Sequence, residues 1–466
     1  MRKFAIFSVL MMLFLALPAT AQDEEGLPDF IEHTECAVDL TGLEIPIVHL
    51  GDISSAGYSP ITLPLVAGFE DAINYYNARG GACGATFSQE NFDTGGDPNR
   101  TSEGYAQLTA DPIDMLVLYS SADSELLRPT VVEDEIPVVI SAGSIPGLYG
   151  ENSDDPGWIY ATNPLYADQF AMFCDYVASA PDVFGEEPVL GYLGWGAPFA
   201  SFGLAAFTDG AVDHCESVGV EVIDEPQTFS ALATATDVAV QVEALINEGA
   251  TILYTNALAS GPVRVAEAVE LIGFSDELQM AAVNWGMDTS AALLSASVLR
   301  ASDGLPVMDG VYGSMPFAWY SDVDNPGIQL VTQQAVENER GIQSINISYI
   351  LGWTLVDQYV EMYAIAANRI AEEQGITDGA EVFAAIDGPL MRDVLENLDY
   401  APLGILPIDF QSGAIRSVAG NRIVQMQFES AEITGPPLLV PLFPEEGFAD
   451  TPDTVGVRME MMEEEE

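Results

Sequence analysis

Apolar runs and amphipathic segments alternate along most of the chain. From residue 45, the runs IPIVHL, ATFSQENF, MLVLY and PVVIS alternate with segments of helical periodicity. A second series of the same kind extends from VLGYLG at 189–194 to MAAV at 280–283. Short strands that alternate with helices are typical of parallel sheets with helices on both faces. The pattern therefore predicts an α/β protein with two such lobes.

The helical segments are well marked by their spacing. After the first strand, Val66, Phe69, Ile73 and Tyr76 recur three or four residues apart, which predicts a helix over 61–78. Further helices are predicted near 98–109, 124–133, 200–217, 236–248 and 261–272. The longest helical segment, at 346–374, has an aromatic face that we interpret as core rather than as a binding surface.

The two ends of the chain depart from this pattern. Residues 1–21 show the order of a secretory signal peptide: basic residues, an apolar stretch of about 14 residues, and the small residues PATA. That stretch is shorter than the roughly 20 residues of a membrane-spanning helix. An acidic leader at 22–44 and a Pro-rich, acidic tail at 435–466 are both expected to be loose. The sequence predicts an exported protein, periplasmic or extracellular, with no membrane insertion after signal removal.

The chain is strongly acidic, with 72 acidic and 13 basic residues and a formal net charge of -59. Such a surface lacks the cations that neutralise phosphate, so we expect no nucleic-acid partner. Hydrophobic residues make up 48% of the chain, which is too many for a disordered acidic protein. A salty habitat, in which counterions screen the surface charge, is one explanation that the sequence leaves open.

Four cysteines follow the signal peptide, at Cys36, Cys83, Cys174 and Cys215. An even number in an oxidising compartment favours disulfides over metal binding, and no CxxC spacing is present. If Cys36 pairs with Cys83 and Cys174 with Cys215, each bond stays within one half of the chain. The sequence does not fix this connectivity, and buried free thiols remain an alternative.

The motifs of common enzymes are missing from the sequence. The loop GDISSAGYSP at 51–60 has neither the GxxxxGK[ST] nor the GxGxxG spacing of phosphate-binding loops, and no GxSxG elbow occurs. The three histidines, His33, His49 and His214, are better explained as core or surface residues than as catalytic ones. The sequence therefore predicts no catalytic residue, no metal site and no cofactor.

Small polar residues instead follow successive predicted strands. In open parallel sheets, ligands bind outside the carboxyl ends of the strands, where hydroxyls and free backbone N–H groups can hold a small polar molecule. In the second series the corresponding loops carry aromatic and amide side chains, although both tryptophans can also be interpreted as lobe core. The candidate ligand-binding residues are Tyr58, Ser120, Ser121, Ala122, Ser141, Gly143, Ser144, Asn163, Trp195, Phe199, Asn256, Asn284 and Trp285.

Several of these segments resemble a known family, the type I periplasmic solute-binding proteins of ABC importers, and in particular the branched-chain amino-acid and amide binders. The resemblance is carried by IPIVHLGDISSAGYSPITLPLVAGFEDAINYYNARGG, VVEDEIPVVISAGS, ATNPLYADQFAMFCDYV, VLGYLGWGAPFASFG and SYILGWTLVDQYVEMYAIAAN, and by their order. It implies two Rossmann-like lobes joined by a three-crossover hinge. Lobe I would comprise residues 45–165 and 317–404, and lobe II residues 166–316 and 405–434. Crossovers would lie near 163–166, 315–318 and 403–406.

The resemblance also implies roles for two loops. In amino-acid-binding members, the loops that correspond to Ser120–Ala122 and Ser141–Ser144 hold the carboxylate and ammonium of the ligand. Where those members place an acid to meet the ammonium, this chain has Asn284, Trp285 and Gly286. An amide, a small aromatic acid or a quaternary ammonium compound would therefore suit the site as well as an amino acid does.

Three functions are compatible with these features. The one favoured is a non-catalytic protein that captures a small organic molecule and delivers it to the membrane permease of an ABC importer. A diffusible co-receptor for a signalling system is an alternative, and a neighbouring histidine-kinase gene rather than a transporter gene would favour it. An exported hydrolase is a third, disfavoured by the missing triad.

With Trp285 in the cleft wall, a Trp285→Ala variant is expected to bind ligand weakly and to keep its unliganded melting temperature.

Overall fold

The computed structural model describes residues 26–410 and 414–455. The predicted signal peptide at 1–21 and the end of the predicted tail, 456–466, lie outside the described residues. Within these ranges, no helix combines the length and the apolar content that crossing a membrane requires.

Strands of the described chain form two large sheets and one small one. The strands are β1 (Glu44–Gly51), β2 (Thr86–Asp93), β3 (Leu116–Leu118), β4 (Val138–Ile140), β5 (Ile159–Ala161), β6 (Val189–Trp195), β7 (Glu221–Val222), β8 (Gln227–Phe229), β9 (Ile252–Asn256), β10 (Gln279–Ala282), β11 (Tyr312–Ser314), β12 (Asp399–Tyr400), β13 (Ile408–Asp409), β14 (Ile423–Gln427) and β15 (Leu438–Phe443). The first sheet has the order β2-β1-β3-β4-β5 and is parallel throughout. The second has the order β15-β14-β11-β10-β9-β6-β7, with β8 also paired to β6.

Helices connect these strands, as the alternating pattern predicts. They span Ser59–Asn77, Pro98–Leu108, Ser121–Glu133, Ile145–Tyr149, Tyr166–Ser179, Pro181–Phe184, Ala200–Gly203, Asp209–Ser217, Ala235–Asn247, Ser260–Ile272, Thr289–Ser295, Pro326–Glu337, Ile347–Gln374, Gly379–Phe383 and Gly388–Glu396, with 3-10 turns at Asn284–Gly286, Ile342–Ser344 and Pro402–Gly404. Because strands such as β3 and β4 are covered on both faces, their side chains are almost completely buried.

Lobe I is built on the first sheet. Its helix Ser59–Asn77 packs lengthwise against Ile347–Gln374, and the two backbones approach closely where Gly68 meets Gly352. A β-carbon on Gly68 would lie 2.5 Å from the carbonyl oxygen of Tyr349, so a glycine is needed at this crossing. Most of the residues of Ile347–Gln374 are buried, aromatic face included, which agrees with its interpretation as core.

Lobe II is built on the second sheet. The helices Ala235–Asn247 and Ser260–Ile272 pack together on it, and Tyr166–Ser179 packs against Asp209–Ser217. A disulfide between Cys174 and Cys215 joins that last pair, and Cys36 is bonded to Cys83 in lobe I. These are the two pairs that keep each bond within one half of the chain.

Three passages of the chain connect the lobes. The first follows β5 and the second follows β11. The third is predicted near 403–406, and further along the chain Arg416 forms a parallel bridge with Ala161 at the edge of the first sheet.

The leader and the tail, which the sequence predicts to be loose, both contact the rest of the described chain. β15 pairs antiparallel with β14, so the predicted loose tail from residue 435 is corrected: residues 438–443 are a strand of lobe II. In the leader, the disulfide of Cys36 is accompanied by a 2.8 Å contact between His33 Nε2 and Asp357 Oδ1. The single helix predicted over 200–217 is also two helices, because Thr208 adopts extended backbone and caps the second one through its hydroxyl.

Candidate ligand-binding cleft

A cleft of about 370 Å³ lies between the lobes. On the lobe I side it is formed by the loops that follow β1 and β2 and by the beginning of helix Ser121–Glu133. On the lobe II side it is formed by the loop after β6 and the short helix Ala200–Gly203. These are carboxyl ends of parallel strands, where open α/β sheets bind their ligands.

Local hydrogen bonds shape the lobe I wall. Asp52 directly follows β1, and its Oδ1 accepts a 2.9 Å hydrogen bond from the backbone N–H of Ser55. Ser120 caps the helix Ser121–Glu133, since its hydroxyl accepts from the N–H of Asp123 at 3.2 Å. Ser120 thus lies two residues after the end of β3 and caps the helix, with Asp123 in the first helical turn.

A hydrogen bond from Ser201 to Glu125 and a contact between the rings of Tyr58 and Phe199 join the lobes across the cleft. The Ser201 hydroxyl of lobe II donates to Glu125 Oε2 at 2.7 Å, while Ser144 of lobe I donates to Glu125 Oε1 at 2.6 Å. Beside them the rings of Tyr58 and Phe199 lie with their centroids 5.5 Å apart. The carboxylate of Glu125 is therefore satisfied by a hydroxyl from each lobe, and the cleft is closed on this side.

A second group of polar residues lies where the chain first passes between the lobes. The indole Nε1 of Trp285 donates to the Tyr166 hydroxyl at 3.2 Å, and its ring meets Tyr119 of lobe I edge-on, with centroids 6.4 Å apart. The N–H of Asn284 donates to Gln169 Oε1 at 3.3 Å. This group connects the end of β10 to the crossover helix, Tyr166–Ser179, which follows the first crossover.

Some buried amide atoms in the same region have no hydrogen-bond partner within the described chain. Asn163 donates through Nδ2 to Ser141 Oγ at 2.6 Å, but its Oδ1 is unpaired. Both the Oδ1 and the Nδ2 of Asn284 are unpaired as well. Because an unsatisfied buried polar atom costs about 1–3 kcal/mol, such atoms are rare without a bound molecule or water to satisfy them.

Burial also alters the acid–base properties of the cleft. It raises the pKa of Asp123 to about 6, although hydrogen bonds from Thr101 and Ser120 act in the opposite direction. The hydroxyl pKa of Tyr58 is raised for the same reason. Away from the cleft, burial lowers the pKa of His49 to about 4, so this histidine is a neutral core residue near pH 7, as the sequence indicated.

The structure brings part of the predicted set to the cleft surface. Tyr58, Ser120, Ala122 and Phe199 line it. Others lie directly behind: Ser121 is buried next to Ser120, Ser144 binds Glu125, and Ser141 binds Asn163. Gly143 is packed so closely that a β-carbon would lie 2.7 Å from Leu148 Cδ1.

The aromatic wall of lobe II differs from the prediction, because Phe199 and Phe202 line the cleft and the tryptophans do not. Trp195 is 1% exposed and packs behind those two rings, and Asn256 is buried with its Nδ2 donating to the Phe202 carbonyl. Trp285 is 3% exposed. Because this indole fills buried space, the structure predicts a loss of unliganded stability for Trp285→Ala, in place of the unchanged melting temperature predicted from the sequence.

Acidic residues of the cleft were missed by the sequence analysis. Asp52, Asp123 and Glu125 line it, as does Ser201. One signal was available, because Ala122, Glu125 and Leu126 are three and four residues apart on one helix and must share a face. Within the described ranges, no group of three or more His, Cys, Asp or Glu side chains is arranged to hold a metal ion.

Comparisons with known proteins agree with this architecture. The sequence model of the family described as periplasmic binding protein matches residues 44–400. No curated protein matches the chain. The structure is similar to a branched-chain amino acid ABC transporter protein from Thermus thermophilus with bound valine, at TM-score 0.67 and 15% identity, covering 86% of this chain and 97% of that one.

Two further solved structures show the same fold. An ABC transporter substrate-binding protein from Aeropyrum pernix has TM-score 0.68 and 18% identity, covering 89% of this chain and 98% of that one. A solute-binding protein from R. palustris in complex with 4-hydroxybenzoate has TM-score 0.62 and 14% identity, covering 88% and 98%. The predicted type I architecture of two α/β lobes is confirmed.

Proposed function

The chain belongs to the periplasmic binding protein family, and on that premise we propose that it is an exported solute-binding protein which captures a small organic molecule between its lobes and delivers it to the permease of an ABC transporter. The ligand class is that of amino acids, amides and related compounds. The observation that carries the proposal is the cleft of about 370 Å³ with walls from both lobes. A volume of that size accommodates a small organic molecule.

The contacts across the cleft support capture by closure. Ser201 meets Glu125 and Phe199 meets Tyr58, each pair with one residue from either lobe. A molecule held between such walls contacts both lobes only when they are together, so its binding energy favours the closed arrangement. Reversible capture of this kind needs affinity for a ligand and no nucleophile.

Export is supported by the cysteines together with the predicted signal peptide. All four cysteines are used in the bonds Cys36–Cys83 and Cys174–Cys215, and disulfides persist in oxidising compartments.

The similar structures are bound to valine in one case and to 4-hydroxybenzoate in another. Membership of the family therefore does not define the ligand.

A thermal-shift screen of the mature protein tests capture. Amino acids, amides, aromatic acids and betaines are screened at several salt concentrations, and a true ligand stabilises by about 2.7 kcal/mol at a hundredfold excess over its dissociation constant. A variant with Ala122→Phe fills the cleft and should lose the shift. The matched control Ala380→Phe, at an exposed alanine in the first turn of another helix, should keep it.

Delivery requires a separate measurement. Proteoliposomes that contain a candidate permease should take up the ligand found in the screen only when this protein is added. Absence of a shift with every compound class would contradict capture. A ligand that binds without any permease-dependent uptake would contradict delivery and favour the co-receptor function.

A further inference from the structure

The walls of the cleft carry negative charge without any positive partner. Asp52, Asp123 and Glu125 line it, whereas none of the described arginine and histidine residues does. Their hydrogen bonds come from neutral donors: Ser55 for Asp52, Thr101 for Asp123, and the two serine hydroxyls for Glu125. None of the ion pairs in the described part of the chain includes these three carboxylates.

Three other buried carboxylates of the described chain contact a basic side chain, whereas buried Asp288 and Glu361 form no ion pair there. Asp71 pairs with Arg340, Asp168 with Arg416, and Asp357 contacts His33. The chain thus places two of its 13 Lys and Arg residues, Arg340 and Arg416, against buried acids outside the cleft. A buried carboxylate without such a partner is unfavourable, and burial raises the pKa of Asp123 accordingly. The cleft differs from these other sites in lacking a positive charge of its own.

Aromatic rings complete the surroundings of these acids. Tyr58 reaches the cleft from lobe I, and Phe199 and Phe202 reach it from lobe II. A cation over an aromatic face gains about 0.5–2 kcal/mol, more when water is excluded. The hydroxyls of Ser144 and Ser201 already donate to Glu125, so they are not free to bind a carboxylate of a ligand.

Resting on the proposed function, we infer that the cleft takes a small organic cation, whose ammonium nitrogen lies among the carboxylates of Asp52, Asp123 and Glu125 while its carbon groups contact Tyr58 and Phe199. The positive charge of the ligand supplies the ionic partner that these three carboxylates lack in the described part of the chain. An anionic compound would meet three like charges and gains no donor in exchange. The volume of about 370 Å³ suits a molecule larger than a metal ion.

The test compares matched probes at constant ionic strength, because any cation stabilises so acidic a protein. Choline and putrescine are each paired with an uncharged analogue, 3,3-dimethylbutan-1-ol and 1,4-butanediol, and benzoate and Ca²⁺ complete the set. At least one organic cation should raise the melting temperature of the full mature protein, and its analogue should not. Glu125→Gln should weaken binding of that cation about tenfold, which is the value of one charge-assisted contact.

The control variant is Glu133→Gln, which removes an exposed acid at the far end of the same helix and should leave affinity unchanged. Equal weakening by both variants would show that the cation acts through overall charge, and would overturn the inference. So would stabilisation by Ca²⁺ alone or by no organic cation. If benzoate or an uncharged compound binds instead, and Ala122→Phe abolishes that binding, the cation inference fails while the proposed function stands. If no compound of any class binds, both fail.

Discussion

Ser201 of lobe II donates a 2.7 Å hydrogen bond to Glu125 of lobe I, so a single carboxylate connects the two walls of the cleft. The other oxygen of the same carboxylate accepts from Ser144, which belongs to Glu125's own lobe. Two serines thus make equivalent bonds to one acid, but only one of them joins the lobes. Substitution of Ser144 can therefore serve as the control for substitution of Ser201.

Removing the bond between the lobes should favour the open form. In a Ser201→Ala variant, the closed state loses about 0.5–1.5 kcal/mol, which increases the open population of the unliganded protein roughly two- to tenfold. Small-angle X-ray scattering should record a larger radius of gyration. Ser144→Ala removes a bond within lobe I and should leave the radius unchanged. An identical radius in wild type and Ser201→Ala would contradict this role.

The buried carboxyl of Asp123 should make the unliganded protein less stable at neutral pH. Its folded pKa of about 6 exceeds the usual 3.8, so the folded state binds more protons than the unfolded state between these values, and stability falls as pH rises through that window. Asp123→Asn should therefore raise the free energy of unfolding at pH 7.5 by up to about 3 kcal/mol, with a smaller gain toward pH 4.

Urea denaturation across this pH range measures the effect of Asp123→Asn. Asp114 and Asp288 also have pKa values raised to about 6 by burial, so the informative quantity is the difference between variant and wild type. Glu133→Gln serves as the exposed control. A variant that is destabilised at neutral pH would show that the charge of Asp123 is compensated in the folded protein.

Trp285 should contribute to stability as well as to the position of the cleft walls. Trp285→Ala should lower the free energy of unfolding by about 3–5 kcal/mol without ligand, since the indole is buried. Trp285→Phe keeps a ring against Tyr119 and loses the bond to Tyr166, so it should cost less than the alanine variant. Equilibrium denaturation measures the stability of both variants. If Trp285→Ala is as stable as wild type, Trp285 is not a core residue, and its predicted place in the cleft wall would be favoured.

Substitution of Arg416 should reduce the stability of the folded protein strongly. It is buried, and it bonds Asp168 at the start of the crossover helix, Tyr149 of lobe I and Asp453 near the end of the described chain. Arg416→Met leaves Asp168 buried and without its cation, which should cost about 3–5 kcal/mol in urea denaturation.

The matched control for Arg416 is Arg264→Met. Arg264 pairs with Glu267 on a partly exposed helix face, and such pairs contribute at most about 1 kcal/mol. Similar losses in the two variants would contradict the importance assigned to the buried arginine.

Much of the fold could be predicted because its strands and helices follow local periodicity. The tail was predicted wrongly because LLVPLF has prolines within and around it, which argue against a central strand. β15 is an edge strand and pairs only with β14. Pro441 is tolerated there because no second strand needs a hydrogen bond from its missing N–H. The leader was misjudged for another reason: its partners, Asp357 and Glu361, are more than 300 residues away in sequence.

The candidate site was predicted in part for similar reasons. Ser120 and Ala122 follow a strand, and their position at its carboxyl end is a property of the topology. Asp52 and Asp123 could not be separated by type from the other acids in a chain that has 72. Only burial distinguishes Asp123 from a solvated surface acid, and burial depends on contacts with Thr101 that no spacing reveals.

The order of the disulfides has a consequence for biogenesis. Cysteines pair with their nearest neighbours along the chain, 36 with 83 and 174 with 215, and neither bond crosses the cleft. In the export that we propose, each bond can close as soon as its second thiol has crossed the membrane, before the remainder of the polypeptide has arrived. Oxidation thus secures each half separately and leaves the hinge free of covalent restraint.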